Sequence, residues 1–249
     1  LAERPVKKKR LDLMLVERGL ADTLTSAQAL IMAGKVLVNE QRVDKSGRKV
    51  NADDALRVKE ASKFVSRGGD KLAAALVDLN LSDCLKDLVV LDVGASTGGF
   101  THCCLAHGAK QVIALDVGSN QLAWELRTDP RVTVLEQTNI RDFSPAAHPP
   151  VQFVVADVSF NSLARLAPAL KNAAPGPNVH FLLLVKPQFE LARELIPDGG
   201  VVLDPDLRAA AAVQVATAFA AVGLTGGVTI DCRLAGRAGN QELFFYAKS

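Results

Sequence analysis

The chain has 249 residues, 49% of them hydrophobic and 22% charged. It is long enough for an α/β core plus a small second domain and too apolar for a disordered segment. The longest weakly polar run, residues 209–224, is Ala-rich, is interrupted by Gln214 and Thr217, and is too short to cross a bilayer comfortably. No signal peptide is read at the start. Cys84, Cys103, Cys104 and Cys232 show no C-x-x-C spacing, which argues against a zinc site or a disulfide framework and points to the cytoplasm. Charge is uneven: residues 1–67 carry 15 Lys+Arg against 9 Asp+Glu, and the remainder 14 against 18. A basic head on a mildly acidic body is the footprint of a polyanion-binding module.

In chain order, Lys7-Lys8-Lys9-Arg10 precedes an amphipathic helix that ends at Gly19. A second helix is predicted from an N-cap at Thr25-Ser26 to Gly34, followed by a hairpin at Val36–Val43 and two short extended pieces near 45–50 and 55–58. Residues 62–65 read as a linker, so the predicted domains are 1–61 and 66–249. A helix with Leu72, Leu76 and Leu79 on one face opens the second domain. Strand patterns then fall at 88–92, 111–116, 132–136, 151–156, 179–185, 226–232 and 241–247, and helical ones at 99–107, 119–127, 161–171 and 206–222. Alternation of this kind predicts βαβ units and a parallel sheet.

The first strand of that series closes on Asp92 and runs into Val93-Gly94-Ala95-Ser96-Thr97-Gly98-Gly99-Phe100. Its glycines miss the G-x-G-x-x-G dinucleotide spacing, and the loop resembles that of methyltransferases that bind S-adenosylmethionine. Ligands of open α/β sheets bind beyond the carboxyl ends of the strands. There Asp116 is placed for a cofactor ribose, with Val117 beside it, while Asn139 and Ile140 could hold an adenine or simply cap a turn. The next two strands end at Asp157 and Lys186. A lysine directly after a buried strand needs a carboxylate partner. Lys71, in the first turn of its helix, and Glu242, at the start of the last strand, reach the same edge if the topology holds.

Two resemblances carry the reading further. Arg10-Leu11-Asp12, Val16-Glu17-Arg18-Gly19-Leu20 and Gly34-Lys35-Val36-Leu37-Val38-Asn39 resemble the S-four-type RNA-binding domain, a small α+β fold. That resemblance and the charge single out Lys9, Arg10, Arg18, Lys35, Arg42, Lys45, Arg48, Lys49 and, past the linker, Arg67 for RNA. The segments around Arg67-Gly68-Gly69, Asp92–Phe100, Asp157-Val158-Ser159-Phe160 and Lys186-Pro187-Gln188-Phe189-Glu190 resemble the TlyA family of rRNA ribose 2′-O-methyltransferases, also labelled hemolysin A. This resemblance implies a Rossmann-like class I sheet of the FtsJ type with the last of its seven strands antiparallel, S-adenosylmethionine as cofactor, rRNA or ribosomal subunits as partner, no metal, and a Lys71-Asp157-Lys186-Glu242 tetrad. It further implies cytidine in large-subunit rRNA as the target, with small-subunit rRNA as a second candidate. Gly236-Arg237-Ala238-Gly239-Asn240 departs from the family's more usual Gly-Pro-Glu-Gly-Asn.

Three rivals fit the letters less well. An amine methyltransferase would show Asn/Asp-Pro-Pro-Tyr/Phe where Asp157-Val158-Ser159-Phe160 stands, and a cytosine-C5 enzyme needs a Pro-Cys that the chain lacks. A membrane-active hemolysin lacks an insertion element, and an RNA-binding adaptor without catalysis has no need of intact glycines and tetrad.

Overall fold

A computed structural model describes residues 8–58, 62–236 and 238–249; Lys7, the expected domain end at Ala61 and Arg237 lie outside the described residues. The chain forms two compact units that divide between Ala61 and Ser62.

In the smaller unit, β1 (Lys9–Arg10) leads into α1 (Leu11–Glu17) and α2 (Leu24–Met32), followed by β2 (Val36–Val38), β3 (Gln41–Val43), β4 (Lys49–Val50) and β5 (Leu56–Val58). The strands form an antiparallel β3-β2-β5 sheet and a separate β1-β4 pair. Leu11, Leu15, Ala27, Ile31 and Val36 make a wholly buried core between them. Asn39 and Glu40 both have positive φ, the geometry that a two-residue hairpin loop demands of its central pair. The expected N-cap at Thr25-Ser26 is corrected to Thr23. Its side chain accepts from Ser26 N, while Ser26 Oγ accepts from Thr23 N, a reciprocal capping box that starts the helix one residue after Thr23.

The larger unit begins with α3 (Arg67–Asp78) and continues as β6 (Val89–Val93), α4 (Gly99–Ala106), β7 (Gln111–Leu115), α5 (Trp124–Arg127) and β8 (Val132–Leu135). Then come β9 (Phe153–Ala156), α6 (Leu163–Ala173), β10 (His180–Val185), α7 (Pro187–Glu190), α8 (Pro205–Ala221), β11 (Thr225–Asp231) and β12 (Leu243–Lys248). The seven strands lie in the order β11-β12-β10-β9-β6-β7-β8, and β12 alone runs against the others. Strands buried on both faces explain the near-continuous apolar runs. Val89, Leu91 and Val93 pack toward α6 and α8, whereas Val90 packs toward α3 and α4. This alternation also sends Asp92 to the α4 side.

The strands of the larger unit fall within two residues of their predicted bounds, whereas the piece expected near 45–50 is a strand only at Lys49–Val50 and the helix expected at 119–127 exists only as the single turn of α5. The Glu136 carboxylate, at the end of β8, accepts from the backbone N–H groups of Asn120, Gln121 and Leu122 and from Arg127. Those donors are thereby held in a loop. The short helix α7 was not anticipated at all.

Candidate active site

The carboxyl ends of β6, β7 and β9 surround a cleft of 380 Å³. Gly94, Asp116, Asn139, Asp157 and Ser159 are among its walls. Gly94 has φ +83°, and a Cβ there would stand 2.6 Å from Asp157 O, so only glycine lets β6 turn this close to the end of β9. Gly98 caps α4 in the left-handed region, φ +98°. Asp116 is held by its surroundings: Oδ2 accepts from Ser96 N at 2.8 Å and Oδ1 from Gly118 N at 2.7 Å. A carboxylate oxygen can accept twice, so each retains capacity for a hydroxyl. Ser96 Oγ donates to Gln121 Oε1 at 3.2 Å, tying the glycine loop to the loop that Glu136 organises. Asn139 Oδ1 accepts from Arg141 N at 3.0 Å, capping the turn at Ile140–Asp142, and its amide N–H₂ remains for another partner. Ile140 joins the core with one side and the cleft with the other, and Val117 is exposed at the rim. These walls suit S-adenosylmethionine: an acid for ribose hydroxyls, apolar contacts for a purine, and a glycine turn for close backbone approach.

A second hollow of 420 Å³ shares Gly94, Ser96, Asp157 and Ser159 with the first, and Lys71, Ala95, Thr97, Phe100, Arg67 and Lys186 also line it. The four predicted tetrad residues form two ion pairs. Lys71 Nζ donates to Glu242 Oε2 at 2.5 Å, and both side chains are almost wholly buried. Lys186 Nζ lies 2.6 Å from Asp157 Oδ1 and donates to Ser159 Oγ at 2.8 Å. The Asp157 contact is charge on charge without hydrogen-bond alignment, since Oδ1 makes no hydrogen bond among the described residues. The register explains the convergence. Val185 pairs with Leu243, which brings the residues just beyond, Lys186 and Glu242, to one edge, and Asp157 N donates to Val93 O beside them. The departure at 236–240 leaves Glu242 in place: a Cβ on Gly236 would stand 2.6 Å from Glu242 Oε1, and buried Asn240 anchors the loop by accepting from Val202 N and donating to Gly200 O.

Other predicted residues sit elsewhere. Asp92 lines neither hollow; its wholly buried carboxylate accepts from Thr101 Oγ1 at 2.6 Å, with Oδ1 unpartnered among the described residues. Arg67, by contrast, stays on the wall of the second hollow, and its guanidinium donates to Ala235 O at 2.7 Å. Glu190, read as part of a motif, serves α6: it accepts from Ser162 Oγ, Leu163 N and Ala164 N, and burial pushes its carboxyl above the ordinary value. Ser159 and Glu136 went unnoticed, because one serine in a motif and one acid after a strand give no signal of their partners. At the rim, Phe160 is 89% exposed with φ +61°, and its ring tilts against Phe189, 5.4 Å between centroids.

In the smaller unit the basic residues divide in two. Lys9 pairs with Glu17, Arg10 pairs with buried Asp12, and Arg18 donates to the carbonyls of Ala52 and Asp54. The Arg10 guanidinium holds the Asp12 carboxyl down at about 2. Lys35, Arg42, Lys45, Arg48 and Lys49 make no ion pair with any described residue, and Arg42, Lys45 and Arg48 line a shallow hollow of 470 Å³. Among the described residues no helix is long and apolar enough to cross a membrane, and no His/Cys/Asp/Glu group could hold a metal ion.

A seven-stranded sheet with one antiparallel strand, opened at its carboxyl edge by a glycine turn and an acid after β7, defines a Rossmann-like methyltransferase domain. The pattern of the FtsJ-like methyltransferase family matches residues 64–249, and that of the S4 domain residues 9–56. The chain belongs to the TlyA family of methyltransferases. It is 42% identical over 246 residues to the 16S/23S rRNA (cytidine-2′-O)-methyltransferase TlyA of Mycobacterium tuberculosis, covering 98% of this chain and 91% of that protein. It is 41% identical to Hemolysin A of Brachyspira hyodysenteriae over 204 residues, 80% of this chain and 82% of that one. A solved structure of a Streptococcus thermophilus relative superposes with a TM-score of 0.75 at 37% identity, covering 98% of this chain and 89% of the other.

Proposed function

We propose that this methyltransferase uses S-adenosylmethionine to methylate the 2′-hydroxyl of a ribose in rRNA, with cytidine in large-subunit rRNA as the primary target and small-subunit rRNA as a second. The observation that carries this reading is the Lys186–Asp157 pair, which lines a hollow sharing Gly94, Ser96, Asp157 and Ser159 with the cofactor cleft. The kinship with the M. tuberculosis enzyme, named for cytidine-2′-O chemistry on rRNA, supports the base and the substrate. Work on ribosomal RNA implies the cytoplasm.

Asp116 would hold the cofactor ribose, Asn139 and Ile140 the adenine, and the Gly94–Gly98 turn the amino-acid end. The bound cofactor supplies an electrophilic methyl group on a positive sulfur. A ribose hydroxyl is a weak acid and needs both a base and positive charge nearby as its oxygen becomes methylated. Lys186, in its neutral form, would take the hydroxyl proton as the carbon–oxygen bond forms and the methyl–sulfur bond breaks, the sulfur leaving as a neutral thioether, and Asp157 would then balance the ammonium that results. Lys71 lends a fixed positive charge to the developing alkoxide, and Glu242 holds it, since a buried lysine without an acid is costly. The Phe160–Phe189 edge offers a stacking face for a base turned out of an RNA helix. Lys35, Arg42, Lys45, Arg48 and Lys49 are the cations of the S4 domain left for phosphates.

The test is methyl transfer from labelled S-adenosylmethionine to ribosomal subunits, followed by mapping of ribose methylation. Label on a cytidine 2′-oxygen is expected; label confined to bases or to protein would end the proposal.

A further inference from the structure

Lys186 has two neighbours on the loop after β9, and they do different things to it. Asp157 Oδ1, 2.6 Å from Nζ, is unaligned for a hydrogen bond; it attracts the charge without setting its direction. Ser159 Oγ, at 2.8 Å, accepts a hydrogen bond from Nζ and has no other hydrogen-bond partner among the described residues. A lysine side chain has four rotatable carbon links and must give up their freedom to hold one pose. The aligned contact, not the charge, selects that pose. Ser159 also lines both hollows, so it stands where the methyl donor's cleft meets the acceptor's.

The chemistry separates the two neighbours further. A carboxylate only accepts hydrogen bonds, so its hold on Lys186 is strongest when the amine is charged. A hydroxyl oxygen accepts an N–H from an ammonium and from a neutral amine alike, which leaves the amine's lone pair free for the proton it takes. A base must pass through both states in each turnover, neutral before it takes the proton and charged after. Of these two neighbours, Ser159 is the one aligned to accept from Nζ, and it can do so in both.

We propose that Ser159 is the positioning residue of the reactive lysine, keeping Lys186 Nζ on the line between donor and acceptor through its change of charge. This rests on the 2′-O-methylation reading given above. Four full-length proteins test it: wild type, Lys186→Ala, Ser159→Ala and Ser159→Thr. Ser159 is exposed on a loop, so neither Ser159 substitution disturbs the core. Ser159→Ala should lower kcat on the order of 10- to 100-fold, the fold-change of one hydrogen bond to a charged group. KM for rRNA and calorimetric affinity for S-adenosylmethionine should stay near wild type, and Ser159→Thr, which keeps the hydroxyl, should recover most of kcat. An alanine variant with wild-type kcat overturns the proposal. So does one whose loss is explained by weaker cofactor binding, or a threonine variant no better than alanine. If wild type places no methyl on rRNA ribose, the proposed function itself falls. If wild type is active, Lys186→Ala is inert and Ser159→Ala is unimpaired, only the role of Ser159 is lost.

Discussion

Asp92 lies next to the end of the first strand of the larger unit, wholly buried, and that burial has a measurable effect on stability. The carboxyl is wholly buried, and its one hydrogen bond comes from Thr101 Oγ1. Burial pushes it from an ordinary 3.8 up to about 7; the Thr101 bond opposes this, and the nearby charge of Asp157 adds to it. The folded state therefore keeps a proton that the unfolded chain has already lost in the window between those values. The stability tied to that proton is fully present below 3.8 and is lost as pH rises through about 7. At about 1.4 kcal/mol per pH interval, the folded protein loses about 3 kcal/mol between about pH 5 and about pH 8 through this group. Asp92→Asn is neutral throughout and still accepts from Thr101, so it escapes that loss. Urea unfolding of both proteins across this range reads the difference, with all other titrating groups in common. The gap between the two should move by about 3 kcal/mol in favour of the asparagine variant as pH rises. Curves that stay parallel would refute the argument that a buried, half-satisfied carboxyl is held protonated here.

Three further outcomes follow from the site. Asp116→Ala should weaken S-adenosylmethionine binding, read by calorimetry, by roughly 1.5–3 kcal/mol, because a charged acceptor is removed from the ribose. Glu136→Gln should also weaken cofactor binding, since it loosens the loop that presents Gln121 to Ser96; hydrogen exchange at residues 120–122 should rise in parallel. Replacing Lys35, Arg42 and Lys45 together should lower rRNA affinity and reduce the steepness of its salt dependence by roughly one charge per residue, leaving cofactor affinity unchanged.

Much of the larger unit was legible because its central strands β6, β9 and β10 are buried on both faces and read as apolar runs. The charged residues that interrupt those runs, Asp116, Asp157 and Lys186, mark the carboxyl edge for the same reason. What stayed hidden depended on partners. The 119–127 stretch carries Leu122 and Leu126 at helical spacing, yet the distant Glu136 carboxylate captures its N–H groups. The tetrad could be listed as four residues, but its division into Lys71–Glu242 and Lys186–Asp157 shows only once the fold has brought the four segments together. Basic residues of the head look alike in the sequence; the fold commits Arg10 to Asp12 and Arg18 to backbone carbonyls. The place of Asp92 in the motif does not reveal that strand alternation turns its side chain inward to Thr101.

The most direct test of the account is methyl transfer to rRNA ribose by Lys186→Ala and Lys186→Arg, with cofactor and RNA binding measured on the same preparations. Both variants should bind S-adenosylmethionine and rRNA while transferring no methyl group, the arginine because a guanidinium stays protonated and accepts no proton. An arginine variant that turns over normally would make Lys186 a fixed charge, and an alanine variant with full activity would contradict the assignment of this pocket to 2′-O-methylation.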